Sequence, residues 1–222
     1  MAQKPARKSG VAWWRPASVW ALYVVGLLPA LWYFYLGATN NLGVDPVKTF
    51  EHLLGIWALR FILLTLCVTP LRDLAGINLL RYRRALGLLG FYYVSFHFLV
   101  YMVLDQQMNL SVVVEDVIKR PFITFGMIAL VLLIPLALTS SNWAIRTLKQ
   151  NWIRLHKLVY AIAALGTLHF AMGRKVIGPE IMFYIAVCVL LLGYRLIRPK
   201  LMERKRARKK AARMQAGLNH AK

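Results

Sequence analysis

Four of the five histidines, His52, His97, His156 and His169, stand in or beside long apolar runs, and a single arginine, Arg60, stands deep inside one. Ionisable side chains are expensive in such surroundings and mark functional positions by default. If each run is a helix crossing a membrane, depth can be read at 1.5 Å per residue. His97, on the third helix, then lies ~10 Å from the outer end, and His169, on the fifth, ~5 Å from it. Both helices run in the same direction, so the two imidazoles meet at similar depth. His156 lies one residue from the opposite end of the fifth helix. The thirteen residues that separate it from His169 span ~20 Å, the distance between sites on opposite sides of a membrane.

Two neutral imidazoles at one depth on facing helices are what a bis-histidine haem requires, and such an iron suits electron transfer rather than oxygen chemistry. Gly90, seven residues before His97, and Gly166, three before His169, offer room for a porphyrin. Glycine also serves ordinary helix packing, and a lone membrane histidine is more often a hydrogen-bonded core residue. On these residues alone, a haem and a structural polar network both stand. Arg60 lies ~12 Å below the outer end of its helix and keeps its charge. With no Asp or Glu in any span, its partner is either a haem propionate or backbone carbonyls reached by snorkelling. His156 sits beside Arg81, Arg83, Arg84 and Lys157. That rim suits a flavin phosphate or a quinol headgroup, although these charges also serve topology alone. His52 marks the outer lip of the second helix, and His220 lies in the basic tail as a solvated residue.

The elements that must position these groups are six apolar runs, at about 18–37, 52–70, 85–104, 121–139, 155–172 and 181–197. Each is long enough for a span of ~20 residues. Pro16, Pro70 and Pro121 fall at span edges, whereas Pro29 and Pro135 are internal and predict kinks. The expected fold is an all-α, six-transmembrane-helix bundle. A basic arm (1–17) precedes the membrane domain (18–197) and a basic tail (198–222) follows it. The first run lacks a cleavage site and reads as a retained helix rather than a signal peptide. Composition agrees, with 59% hydrophobic residues in 222 and a mean hydropathy of +0.53. The formal charge of +21 sits between and beyond the apolar runs, which argues for membrane topology and against nucleic-acid binding. Lys and Arg crowd alternate connections while Asp45, Glu51, Asp105, Glu115, Asp116 and Glu180 hold the others. The positive-inside rule therefore puts both termini in the cytoplasm, with the tail on anionic lipid. Cys67 and Cys188 lie within apolar runs and read as core or lipid-facing residues.

The runs RRALGLLGFYYVSFH (83–97), RPFITFG (120–126), LALTS (136–140), NWIRLHKLVY (151–160) and LHFAMGRKVI (168–177), with GLLPALWYFY and GVDPVKTFEHLLGIWALRFILL upstream, resemble the MsrQ (YedZ) family of the ferric-reductase-like transmembrane superfamily. The likeness covers about residues 20–200. It implies a membrane subunit carrying haem b and FMN, which takes electrons from quinol or a cytoplasmic flavin reductase. The electrons would pass to a periplasmic molybdenum-cofactor methionine-sulfoxide reductase, the catalytic subunit that repairs oxidised proteins. It further implies haem association for His97, His156 and His169, with His97 and His169 as iron ligands, and a cofactor role for His52. Here HLLGIWAL carries Leu54 where the family has threonine, so no hydroxyl acts at that place. Relatives in the superfamily with two haems carry a second histidine on the third helix. Arg83 or Arg84 occupies that level here, and His156 is left without a mate.

Two other functions compete. A free-standing ferric or oxygen reductase usually carries its own nicotinamide–flavin domain, whereas here a basic tail follows the last span. A small proton-coupled transporter would use the histidines as relays. The connection 105–120, with Asp105, Glu115 and Asp116, reads as the docking surface for an external reductase or as a solvated connector.

Overall fold

Lipid offers no partner to backbone N–H and C=O groups, so a chain with six apolar runs must satisfy them within helices. The computed structural model describes residues 14–174 and 176–220, and among these there is no strand. The helices are α1 (Trp14–Ala38), α2 (Pro46–Ala75), α3 (Arg83–Val100), α4 (Leu110–Lys119), α5 (Pro121–Leu138), α6 (Asn142–Leu148), α7 (Gln150–His156), α8 (Leu158–Met172) and α9 (Pro179–His220). A 3-10 turn, Leu80–Tyr82, leads into α3, and a π-helical turn, Tyr101–Asp105, ends it. Among the described residues six segments are long and apolar enough to cross a membrane: Ala17–Ala38, Pro46–Ala75, Leu80–Asp105, Pro121–Leu138, Gln150–Met172 and Pro179–Lys205. The chain is a multi-pass membrane protein. Lys4, Arg7 and Lys8 of the basic arm lie outside the described residues.

Local chemistry sets the ends. Asp45 caps α2 by accepting from the Lys48 N–H at 3.0 Å, Pro46 occupies the first turn, and Gly76 closes the helix in the left-handed conformation at φ 73°. The sequence placed the end of this span at Pro70, but α2 continues to Ala75. Proline removes the N–H that would bond the carbonyl four residues earlier, that of Leu66. Arg195 of α9 donates to that carbonyl at 3.0 Å, so the helix passes through its proline.

α2 is the hub. It buries 61% of its most apolar stretch, against 28% or less for every other span. One core joins α2 to α5, α8 and α9 through Leu66, Leu133, Ile162 and Cys188. A second joins α2 to α1 and α3 through Leu54, Phe61, Leu89 and Tyr93. The outward faces of α1 and α9, including Trp20, Leu31, Val189 and Leu190, are exposed and apolar, as a lipid-facing surface must be.

α1 contains Pro29, and next to it a side chain of α3 reaches the α1 backbone. The Tyr93 hydroxyl donates to the Gly26 carbonyl at 2.8 Å and accepts from the Ala30 N–H at 3.1 Å. Those two backbone groups would bond each other in an unbroken helix, so the hydroxyl is inserted into the ladder. At the other end of the bundle Asp73, 6% exposed, receives Arg72 and Arg198 at 2.9 and 2.5 Å and Tyr194 at 3.2 Å. This cluster ties the basic extension of α9 to the end of α2. The tail is a continuation of the last helix as far as His220.

The connection 105–120 is neither an open loop nor a free acidic surface. It folds into α4, capped by Asn109. Asp116 is buried, accepting from the Tyr101 hydroxyl at 2.8 Å and pairing with Arg120 at 3.0 Å. Glu115 pairs with Lys119 and Asp105 with Lys48.

Candidate functional site

His97 projects from α3 onto α2, where its Nδ1 lies 2.8 Å from the Glu51 carbonyl. His169 projects from α8 onto α5, where its Nδ1 lies 2.7 Å from the Phe122 carbonyl. A carbonyl only accepts, so in both rings the proton sits on Nδ1 and the Nε2 lone pair is left free. Each accepting carbonyl belongs to the residue four before a glycine, Gly55 or Gly126. Those glycines are where the rings lie against the helices. A Cβ on Gly55 would come within 3.2 Å of the His97 Nδ1, and one on Gly126 within 2.9 Å of the His169 Nδ1. The construction is thus made twice, once by α2 with α3 and once by α5 with α8.

The two rings face each other with centroids 5.9 Å apart and planes at 75°. They line a cavity of ≈ 380 Å³. Its floor is apolar (Leu59, Ile62, Leu133, Ile162), and its mouth, at the α4 end, carries Lys48, Glu51, His52, Asp105, Arg120 and Arg174. His52 stacks on Phe170, centroids 5.9 Å apart, and the Arg174 guanidinium donates to its Nε2.

These residues fit a haem. A metal held between two imidazoles at bonds of ~2 Å sets ring centroids ~6 Å apart, which is the spacing here. Metal-binding histidines characteristically give their second nitrogen's proton to a carbonyl or carboxylate, which fixes tautomer and orientation. Among the described residues no group of three or more His, Cys, Asp or Glu could hold a metal ion. Two imidazole nitrogens with no third protein ligand would suit a metal that brings its remaining ligands with it, as the iron of a haem does.

The structure brings neither Arg60 nor His156 to this cavity. Arg60 points from α2 toward α9, donating from Nε to the Tyr184 hydroxyl at 2.7 Å and lying 4.9 Å from the centre of the Trp57 ring. Spacing along a run gives depth, but the face on which a residue emerges decides what it meets. His156 lies at the far end, stacked on Trp152 at 3.9 Å. Its Nδ1 is 3.1 Å from the Trp152 carbonyl, and its Nε2 is buried without a hydrogen-bond partner. Gly166 lines the cavity, whereas a Cβ on Gly90 would meet Ile62 of α2 at 3.1 Å. Gly90 therefore serves helix packing. Sequence reasoning missed Gly55, Gly126, Lys48 and Arg174, which meet partners distant in the chain, and Arg120, whose partner Asp116 is only four residues away. The spacing shared by Glu51–Gly55 and Phe122–Gly126 is the one signal that was available.

Residues 54–167 match the family described as ferric reductase like transmembrane component. The chain is 59% identical over 193 residues to a protein of Agrobacterium fabrum named protein-methionine-sulfoxide reductase heme-binding subunit MsrQ, covering 87% of this chain and 90% of that one. The same name is carried by a Rhizobium meliloti protein, 59% identical over 199 residues (90% and 92% covered). It is also carried by a Brucella ovis protein, 61% identical over 189 residues (85% and 86%). No solved structure matches. With identity of this order along nearly the whole length, the chain belongs to the MsrQ family of the ferric-reductase-like transmembrane proteins.

Proposed function

We propose that this protein is a haem-binding electron-transfer subunit that serves a methionine-sulfoxide reductase, holding haem b between His97 and His169. The observation that carries the reading is the pair of facing imidazoles, each with its Nδ1 proton given to a backbone carbonyl and its Nε2 lone pair free. The names of the MsrQ relatives support both the cofactor and the reductase. Haem b, when bound by the two histidines, would supply a one-electron carrier.

The chain's own residues do the rest. Glu51 and Phe122 hold the imidazole protons and so fix the basic nitrogens toward the cavity. Leu59, Ile62, Leu133 and Ile162 exclude water from the floor, which keeps the field of nearby charges strong. Positive-inside asymmetry supports cytoplasmic termini, with arm 1–17 and tail 198–222 on that side of the membrane domain 18–197. The α4 end is then periplasmic and faces the catalytic partner. Electrons enter from the opposite end, where a quinol or a flavin reductase is met and where the FMN implied by the family likeness belongs. His156, with its unpartnered Nε2, stands at that entry.

An absorption spectrum of the purified protein tests the reading. The parent should show a low-spin haem that His97→Ala or His169→Ala abolishes while membrane insertion persists. His156→Ala should keep the haem and slow its reduction by the donor. A low-spin spectrum unchanged in either of the first two variants removes that residue from the site.

A further inference from the structure

We propose that Arg120 and Arg174 form a clamp for the two carboxylates of the porphyrin, with Tyr101 and Asp116 as positioning residues that aim Arg120. This rests on the haem reading above.

A haem is amphipathic: one edge carries two carboxylates and the opposite edge is apolar. The cavity is polarised in the same way, apolar at Leu59, Ile62, Leu133 and Ile162 and charged at its mouth. Both arginines lie on the α4 side of the groups that hold the rings. Arg120 is two residues before Phe122, and Arg174 is five after His169. At 1.5 Å per residue they stand roughly 3 to 8 Å nearer the α4 end. A macrocycle gripped between His97 and His169 with its apolar edge inward turns its carboxylates toward this level. Arg60, the cation that depth along the sequence offered for this role, faces Tyr184 instead.

The counter-charges leave the two arginines available. Asp116 and Glu180, partners of Arg120 and Arg174, do not line the cavity. Lys48, by contrast, is held at 2.7 Å by Asp105, which does line it, and stands outside the clamp. Asp116 meets Arg120 through Nε at 3.0 Å, so the two terminal nitrogens remain for a bidentate carboxylate. Burying the Asp116 carboxylate, 8% exposed, is costly unless it is paired. The Tyr101 hydroxyl, 2.8 Å away, and Arg120 meet that cost, and together they fix the guanidinium. Tyr101 opens the π-helical turn, a feature frequent at functional sites because it re-aims side chains.

The test compares haem with its dimethyl ester, which keeps ring and iron but has no carboxylates. Each is titrated into the full-length apoprotein in detergent. The parent should bind haem about tenfold or more tightly than the ester, the worth of charge-assisted bonds to a carboxylate. Arg120→Gln and Arg174→Gln should weaken haem binding and bring its ratio to the ester toward one, while ester affinity and the low-spin spectrum hold. Tyr101→Phe and Asp116→Asn should act in the same direction, and adding Arg120→Gln to Asp116→Asn should cost little more. The midpoint potential should fall when a cation is removed. Equal affinities for haem and ester in the parent, with a His97-dependent low-spin spectrum, would overturn the clamp and leave the haem reading intact. So would a loss of both ligands alike in the arginine variants. A parent that gives no low-spin spectrum with either ligand would overturn the haem reading itself.

Discussion

An imidazole can lie against a helix and reach its backbone only where that helix lacks a side chain. Gly55 and Gly126 supply the two gaps, and the second is the tighter. A methyl at 126 would stand 2.9 and 3.0 Å from the Nδ1 and Cε1 of His169, and one at 55 would stand 3.2 and 3.3 Å from the same atoms of His97. Alanine is the better helix former by about 1 kcal/mol, so any damage comes from the clash, which overpacking puts at about 1–3 kcal/mol. Gly126→Ala should therefore push His169 off the Phe122 carbonyl and lose low-spin haem, with Gly55→Ala milder and both proteins still inserted. Haem content and spectrum measure this, and a Gly126→Ala protein indistinguishable from the parent would refute the role of that gap. At this scale the sequence showed which histidines share a level, since depth follows from position in a run. It could not show which glycines they touch, because those sit on facing helices. Gly90 drew attention only through being on the same helix as His97.

At the scale of elements, the six spans were legible because lipid forces long, uncharged, continuous helices. Their faces were not. α2, α5 and α8 are apolar around most of their circumference, so nothing in the pattern orients Arg60 toward Tyr184 or the cavity. The continuation of α2 through Pro70 depends on Arg195, 125 positions later in the sequence. The short helix α4 was hidden because its charges read as a solvated loop. The contact between Tyr93 and α1 is a further case, and it is testable. Tyr93→Phe removes the hydroxyl bridging Gly26 and Ala30, with a cost of about 1–2 kcal/mol. Thermal unfolding in detergent should show a lower midpoint with an unchanged haem spectrum, since Tyr93 does not line the cavity. An unchanged midpoint would mean that the two backbone groups close on each other without it.

At the scale of the whole molecule, α2 packs most extensively on α3, and α5 on α8. Each pair carries one histidine, one glycine gap and one accepting carbonyl. No internal repeat is visible in the sequence, yet the site is assembled from two like halves, because what the halves share is a backbone relation rather than a string of residues. Ligand-free protein should therefore unfold at lower temperature than the haem-loaded form. By mass action, filling the site to a hundred times its dissociation constant adds about 2.7 kcal/mol. Calorimetry of the two forms checks this, and coincident transitions would count against the cofactor's bridging the pairs. The doubled construction also fixes what a ligand shared by the two imidazoles would do. With one ring rooted in each helix pair, such a ligand would act as a rivet across the seam between α2–α3 and α5–α8. A strain on it would be felt between the pairs rather than within either one.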